Sequence, residues 1–274
     1  PYISPGGDNQ LAIRIDNPAN SARWYPGAGI YRNVWLVKTD PVHVAQWGTF
    51  ITTPDVSIES ATINLEITID NDSENDAVVE VNTEVYSLGP ESKRVGEPAI
   101  VFPPLYTTIN ARGSSTVNGS VILQNPRLWG PLPVENPELY EAVTKVVKDG
   151  ETTDTYVTQF GIRSVTFDPD RGILVNGEHI PIKGVNQHHD LGALGAAFNL
   201  RAAERQLEIL KEMGCNAIRT SHNPPAPELL ELTDRMGFLV IDEIFDVWER
   251  RKTPLDFHLI FPDWYEQDLS LIHI

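Results

Sequence analysis

The sequence predicts a multidomain β plus α/β protein: the end of a β-domain, then an immunoglobulin-like β-sandwich, then the opening strands of a parallel α/β unit. Three observations predict it. The chain has 274 residues, 41% of them hydrophobic, more than one ordinary domain needs for its core. Between Pro41 and Arg163 apolar residues recur with period two in short runs bounded by Asp, Asn, Gly and Pro. After Arg163 the dipeptide "MG" twice joins a helical pattern to an apolar strand.

In chain order, residues 1–40 hold "NQLAIRIDN" and "IYRNVWLVKTD", two alternating strand-like runs around the loop "RWYPGAG". They are too few for a domain and read as the tail of a β-domain. Residues 41–163 carry "VHVAQWGTFI", "ATINLEITIDN", "AVVEVNTEVYS", "STVNGSVIL", "YEAVTKVVKDG" and "DTYVTQFG". Short strands at this spacing, with no helical period between them, predict an antiparallel sandwich. No Cys…Trp…Cys pattern accompanies them, so the domain is not of antibody type. Within 164–274, "HIPIKGVN" predicts a buried strand, and "NLRAAERQLEILKEMG" a helix capped by Asn199, ended by Gly214 and turning Leu207, Leu210 and Met213 inward. "CNAIRTSH" is strand then loop, "PELLELTDRMG" a helix with Pro227 in its first turn and Gly237 after its end, and "FLVIDE" a strand. Strands alternating with helices imply parallel pairing, whose functional loops follow the C-terminal strand ends in a closed barrel and in an open sheet alike.

Composition narrows the partners. Acidic side chains number 38 against 21 basic, a net charge of −17 that repels phosphate backbones and anionic lipid, so no nucleic acid and no membrane is expected. No apolar run approaches the ~20 residues of a membrane span. The single cysteine, Cys215, lies in an apolar run and reads as an inert, buried thiol. The first residues, "PYISPGGDNQ", show neither an initiator Met nor a signal-peptide apolar region, and both cytoplasm and periplasm stay open.

Three polar loops follow the three strands. The first, "NQHHD" from Asn186 to Asp190, contains adjacent histidines whose side chains point apart on extended backbone, a poor metal set; sugar-hydroxyl donation suits their location better, and a structural role for one stays open. The second offers Arg219, Ser221, His222 and Asn223. A guanidinium at a strand mouth calls for an acidic partner, and an architectural ion pair with Asp242 or Glu243 is one way to supply it. The third offers those two carboxylates, which adjacency alone does not make a glycosidase pair: a retaining mechanism needs carboxyl groups about 5 to 5.5 Å apart across the sugar. No G-x-S-x-G elbow, P-loop or G-x-G-x-x-G run is present.

This domain order and three stretches resemble glycoside hydrolase family 2, the β-galactosidases, β-glucuronidases and β-mannosidases. "RWYPGAGIYRNVWL" is similar to the end of the family's jelly-roll sugar-binding domain, "GVNQHHDLGALG" to its first barrel strand and loop, and "NAIRTSHNPPAPELLELTDRMGFLVIDE" to its signature from second to third strand. The variants in "HHDLGALGAAF" and "DEIFDVWERRKTPLDFHLIFPDWYEQDL" are most similar to bacterial β-galactosidase-like members. The resemblance implies a jelly-roll end at 1–40, the sandwich at 41–163 and the first three strands of a (β/α)8 barrel at 164–274. It implies that His188 and His222 contact substrate or transition state, that Arg219 braces the nucleophile carboxylate, and that Asn223 and Glu243 belong to the same site. Large bacterial β-galactosidases hold galactose with an Asp near the position of Arg23, and carry a Glu-x-His metal pair where this chain has Val247, Trp248 and Glu249. Arg23 is therefore a candidate substrate contact, and no cofactor is expected, although magnesium or sodium occurs in the family.

The family's acid/base and nucleophile glutamates come from the fourth and seventh strands, so this chain is expected to carry neither and to hydrolyse nothing by itself. A (β/α)8 barrel needs ~250 residues. Leu269 to Ile274, "LSLIHI", is what CTG TCT CTT ATA CAC ATC encodes, a sequence resembling a transposase mosaic end, and these residues are expected to be foreign to the protein. The expected parent is a retaining exo-β-glycosidase acting on a carbohydrate, first a β-galactosidase, in the alternative a β-glucuronidase or β-mannosidase, with a homo-oligomeric parent left open. A non-catalytic carbohydrate-binding sandwich protein is the alternative of another class. An open third strand would make the isolated chain prone to aggregate.

Overall fold

The structure, a computed structural model, describes residues 6–22, 29–30, 32–89, 92–133 and 136–270. Among them, none before Val42 lies in a strand. The described residues of the two strand-like runs read from the sequence carry no strand, with Leu11, Ile13, Val34, Trp35, Leu36 and Val37 exposed. Alternation makes one face apolar, but a strand exists only when a neighbour takes its backbone N–H and C=O groups.

The sandwich begins at β1 (Val42–Thr52) and continues through β2 (Ser60–Asn71), β3 (Ala77–Leu88), β4 (Arg94–Val101), β5 (Leu105–Ile109), β6 (Gly113–Gln124), β7 (Tyr140–Lys148) and β8 (Glu151–Phe160). One sheet has the order β1-β2-β6 and the other β4-β3-β7-β8, with β5 beside the first half of β3; all pairings are antiparallel. β2 shows the cause: Ala61, Ile63, Leu65, Ile67 and Ile69 alternate with polar residues and are nearly inaccessible, and they meet Val79, Val81 and Val85 of β3 and Ala142 and Val146 of β7 across the two sheets. Asn71 at the end of β2 is buried because its amide is satisfied in full: it donates to the carbonyls of Asn75, Ile109 and Asn110 and accepts from the Ser73 backbone and hydroxyl.

Trp129 joins the sandwich to the α/β unit. It is 2% exposed, packs with Leu88 and Leu139 against Leu239, and its indole N–H donates to the Asp234 carbonyl at 2.8 Å. Its own N–H donates to the Ile162 carbonyl (2.8 Å), and its carbonyl accepts from the Asn176 amide (3.0 Å). Gly161 lies against this ring; an added Cβ would come within 2.8 Å of the Trp129 Cβ.

Next comes a small antiparallel sheet that the sequence pattern does not resolve: β9 (Val165–Asp168), β10 (Gly172–Val175) and β11 (Glu178–His179), in the order β11-β10-β9. The expected strand "HIPIKGVN" is divided between β11 and β12 (Gly184–Gln187), and it is not buried: Ile180 is enclosed, but Ile182 and β12 are exposed or half-exposed. β12 is an edge strand here, covered by helices on one face alone.

A parallel sheet of order β12-β13-β14, with β13 (Ala217–Thr220) between β12 and β14 (Leu239–Asp242), completes the fold together with α1 (Leu200–Glu212), α2 (Pro227–Met236) and α3 (Phe261–Ser270). The caps fall where the sequence places them. Asn199 accepts from the Ala202 N–H at 3.0 Å, Pro227 opens α2, and Gly237 closes it with φ 73°. Ala203 and Leu207 of α1 and Leu229 and Leu232 of α2 pack on Ile218, with Val185 and Val240 beside them. Leu210 joins this core at its border, whereas Met213 is 70% exposed: it lies beyond the last helical residue and falls off the apolar stripe. Cys215 is half-buried beside the same core.

Past β14, Phe245, Phe257, Phe261 and Tyr265 form a ring cluster with centroids 5.2 to 6.1 Å apart. Its entry loop is fixed by the buried Asp256, which accepts from the N–H groups of Lys252 (2.8 Å), Thr253 (2.5 Å) and His258 (3.2 Å) and from the His258 ring. Burial opposes its charge, but the Thr253 amide, the His258 ring and the other amides outweigh burial and hold the carboxyl well below the usual carboxylate range. A folded-state value below the unfolded one contributes stability that is complete above pH ~4 and is lost as pH falls through the folded value. Asp256→Asn is accordingly expected to cost about 1 to 3 kcal/mol at pH 7. Urea denaturation of both forms should show that gap narrowing as pH falls below ~4; a gap constant with pH would contradict the assignment.

Candidate active site

Register builds the site. Parallel pairing sets Val185, Ile218 and Val240 in one row, Asn186, Arg219 and Ile241 in the next, and Gln187, Thr220 and Asp242 in the last. Side chains alternate faces along a strand. The first row packs on the helices, so the middle row faces away from them, toward the side where a barrel interior would lie.

On that open face Arg219 donates to Asn186 Oδ1 at 3.0 Å and forms an ion pair with Glu243 Oε1. The other Glu243 oxygen lies 2.5 Å from His222 Nδ1, which is itself 3.5 Å from the Arg219 guanidinium. The His222 ring meets His188 edge to face, with centroids 5.4 Å apart. The structure thus brings together His188, Arg219, His222 and Glu243, and adds Asn186, which sequence reasoning passes over as the first residue of its loop. Asn223 is exposed and its side chain joins none of these contacts among the described residues. Arg23 lies outside the described residues.

The adjacent carboxylates part company. Asp242, one residue earlier on the strand, turns toward the helices and accepts from the Thr220 hydroxyl at 3.1 Å; burial pushes its carboxyl up, while Thr220 and Arg32 oppose that shift. The same hydroxyl accepts from the Glu243 N–H at 3.1 Å, so Thr220 fixes the turn at which the chain changes face. The histidines divide in the same way: His188 faces His222, and His189 is turned to the helix side, 3.4 Å from the Arg32 guanidinium. Burial, then the Arg32 charge, push the His189 imidazole below the ordinary histidine value, with the Asn223 backbone opposing. Among the described residues no group of three or more His, Cys, Asp or Glu side chains is arranged to hold a metal ion.

Chemically, the open face presents a guanidinium, two imidazoles, an amide and one carboxylate already engaged on both oxygens. These groups suit hydrogen bonding to a polyol and bracing of a further anion. They do not make a pair of carboxyl groups across a bond to be broken.

The Arg219–Glu243 pair is partly open, with side-chain exposures of 36% and 20%, so its coupling should sit near ~1 kcal/mol rather than at the roughly 3–5 kcal/mol of a buried pair. In a double-mutant cycle, Arg219→Met and Glu243→Gln together are expected to destabilise by less than the sum of the two singles, by about 1 kcal/mol. Additive losses in urea denaturation would show that the pair holds nothing.

Comparison with known proteins agrees with this architecture. Residues 42–163 match the family model described as glycosyl hydrolases family 2, and residues 169–249 match that of the family 2 TIM barrel domain. The chain is 44% identical to beta-galactosidase BoGH2A of Bacteroides ovatus over 277 aligned positions, which span 98% of this chain and 31% of that protein. It is 32% identical to a putative beta-glucuronidase of Formosa agariphila, over 96% of this chain and 24% of the relative. A crystal structure of a family 2 member from Bacteroides cellulosilyticus superposes with a TM-score of 0.81 at 34% identity, covering 91% of this chain and 31% of that one. The chain therefore spans between about a quarter and a third of the length of these relatives. With both family models matched in order, and with a sandwich leading into parallel strands whose ends carry the Arg219 cluster, the chain belongs to glycosyl hydrolase family 2.

Proposed function

We propose that this chain is the binding and bracing part of a retaining exo-β-glycosidase that removes terminal β-linked sugars, first of all β-galactosides. The observation that carries the reading is the cluster of Asn186, His188, Arg219, His222 and Glu243 on the open face at the C-terminal ends of parallel strands, where α/β barrels place their chemistry. The galactoside preference rests on the 44% identity to a beta-galactosidase. Relatives and solved structures named as beta-glucuronidases keep the glucuronide reading as the alternative.

In this reading His188 and His222 donate to sugar hydroxyls, and Arg219, held by Asn186 and Glu243, presents its remaining N–H groups to a nucleophile carboxylate. Glu243 orients His222 and Arg219. Both reacting carboxylates, the general acid/base and the nucleophile that forms the covalent glycosyl intermediate, come from barrel strands outside these 274 residues. General acid catalysis alone is worth about 10²- to 10⁴-fold, so the chain without them should be silent.

The test is an assay of purified residues 1–274 and of the full-length protein on 4-nitrophenyl β-galactoside and β-glucuronide. The expected result is no release above buffer from the 274-residue chain and hydrolysis with retention by the full-length protein, faster on the galactoside. Preference for the glucuronide selects the alternative. Sugar binding without turnover by the full-length protein would overturn the enzyme reading in favour of a carbohydrate-binding protein.

A further inference from the structure

The pocket beside the site is lined in part by a residue from far away in sequence. Arg32 belongs to the coil that precedes the sandwich, yet its guanidinium donates to the Pro224 carbonyl in the loop after β13 and lies 3.4 Å from His189 Nδ1 in the loop after β12. Its neighbour Asn33 donates to Glu228 Oε1 at the start of α2 at 2.9 Å. Arg32, Gln187, His189, Asp190, Gln206 and Thr220 line the pocket between these loops and the helices. Its wall is cross-linked: Gln187 donates to Gln206 at 2.7 Å, Gln206 donates to the Asp190 carbonyl at 3.3 Å, and the Ser221 N–H donates to the Gln187 carbonyl at 2.9 Å.

The two loops that Arg32 touches carry the two rings of the site. His188 precedes His189 in one, and His222 lies two residues before Pro224 in the other. We propose that Arg32 is a positioning residue: it clamps both loops from the helix side and so holds His188 and His222 in their edge-to-face arrangement on the open face. Arg suits this place because both contacts are made by one terminal nitrogen, Nη2, whose two N–H bonds are held in the guanidinium plane, a direction that a rotating lysine ammonium does not fix. Burial and the Arg32 charge push the His189 imidazole below its ordinary value, which favours the neutral ring beside the guanidinium.

The inference rests on the glycosidase reading only for its consequence in catalysis, and two readouts keep the two apart. In the full-length protein with ring-labelled histidine, NMR titration of ring resonances in wild type, Arg32→Met and Arg32→Lys reports the loops directly. Arg32→Met is expected to shift the His188 and His222 signals and to raise the His189 midpoint, and Arg32→Lys to retain the midpoint better than the signals. Unchanged His188 and His222 signals in a folded Arg32→Met chain would overturn the clamp; should that variant fail to fold, Arg32→Lys decides. In the full-length protein, kcat/KM of Arg32→Met is expected to fall by roughly tenfold to 100-fold, the loss lying mainly in kcat, with partial rescue by Lys. Moved rings with kcat/KM close to that of wild type would overturn the positioning role. A full-length wild type that turns over no glycoside would overturn the glycosidase reading and leave the clamp to the ring signals.

Discussion

Everything at the site depends on the in-register parallel pairing of β12, β13 and β14. Because Val185, Ile218 and Val240 must face α1 and α2 to be buried, the next residue of each strand must face the other way. That places Arg219 beside Asn186, with Glu243 arriving from the strand end to meet it. A slip of one residue would bury Arg219 among Leu207, Leu229 and Leu232 and expel Ile218. The apolar row thus enforces the polar one, and the site inherits its geometry from the hydrophobic core behind it.

The sandwich supports this sheet from below. Trp129 presents its ring to Leu239, the first residue of β14, and its indole N–H to the carbonyl of Asp234 near the end of α2. Gly237, which ends α2 with a positive φ, also lies against Leu132, so one residue serves as helix terminator and as a point of close approach to the sandwich side. Burial of one large indole with its N–H satisfied fixes a helix end and a strand start together. The junction is therefore placed to keep the β13–β14 turn, and Glu243 with it, in register.

Much of this is legible in the sequence where the physics is local. β2 and β3 announce themselves through unbroken alternation, and α1 and α2 through Asn199, Pro227 and Gly237 at their ends. β4 is not legible, because Gly96 and Pro98 interrupt it; as an edge strand it tolerates both. β10 and β11 are signalled by Asn176-Gly177, whose φ values of 51° and 83° make the tight turn, but the runs of four and two residues around it are too short to show a period. The runs before Val42 form no strand among the described residues, because alternation specifies a face and not a partner. At the site, the acidic partner of Arg219 is foreseeable, since a guanidinium at a strand mouth requires one, whereas its choice of Glu243 over Asp242 emerges only once alternation is fixed by the register. Arg32 is not foreseeable: its contact with Pro224 spans 192 positions and leaves no local mark.

Glu243 is the decisive carboxylate. It stands at a strand end in a glycosidase family, yet both of its oxygens are committed, one to Arg219 and one to His222. A nucleophile needs an oxygen free to attack the anomeric carbon, and a general acid needs one free to reach the leaving group. The most direct measurement is peptide mapping by mass spectrometry after the full-length protein is inactivated with a 2-deoxy-2-fluoro-β-glycoside, which leaves the sugar on the nucleophile. The expected result is a labelled glutamate outside residues 1–274 and unmodified Glu243. A sugar adduct on Glu243, or on any carboxylate of this chain, would contradict the bracing role given to it.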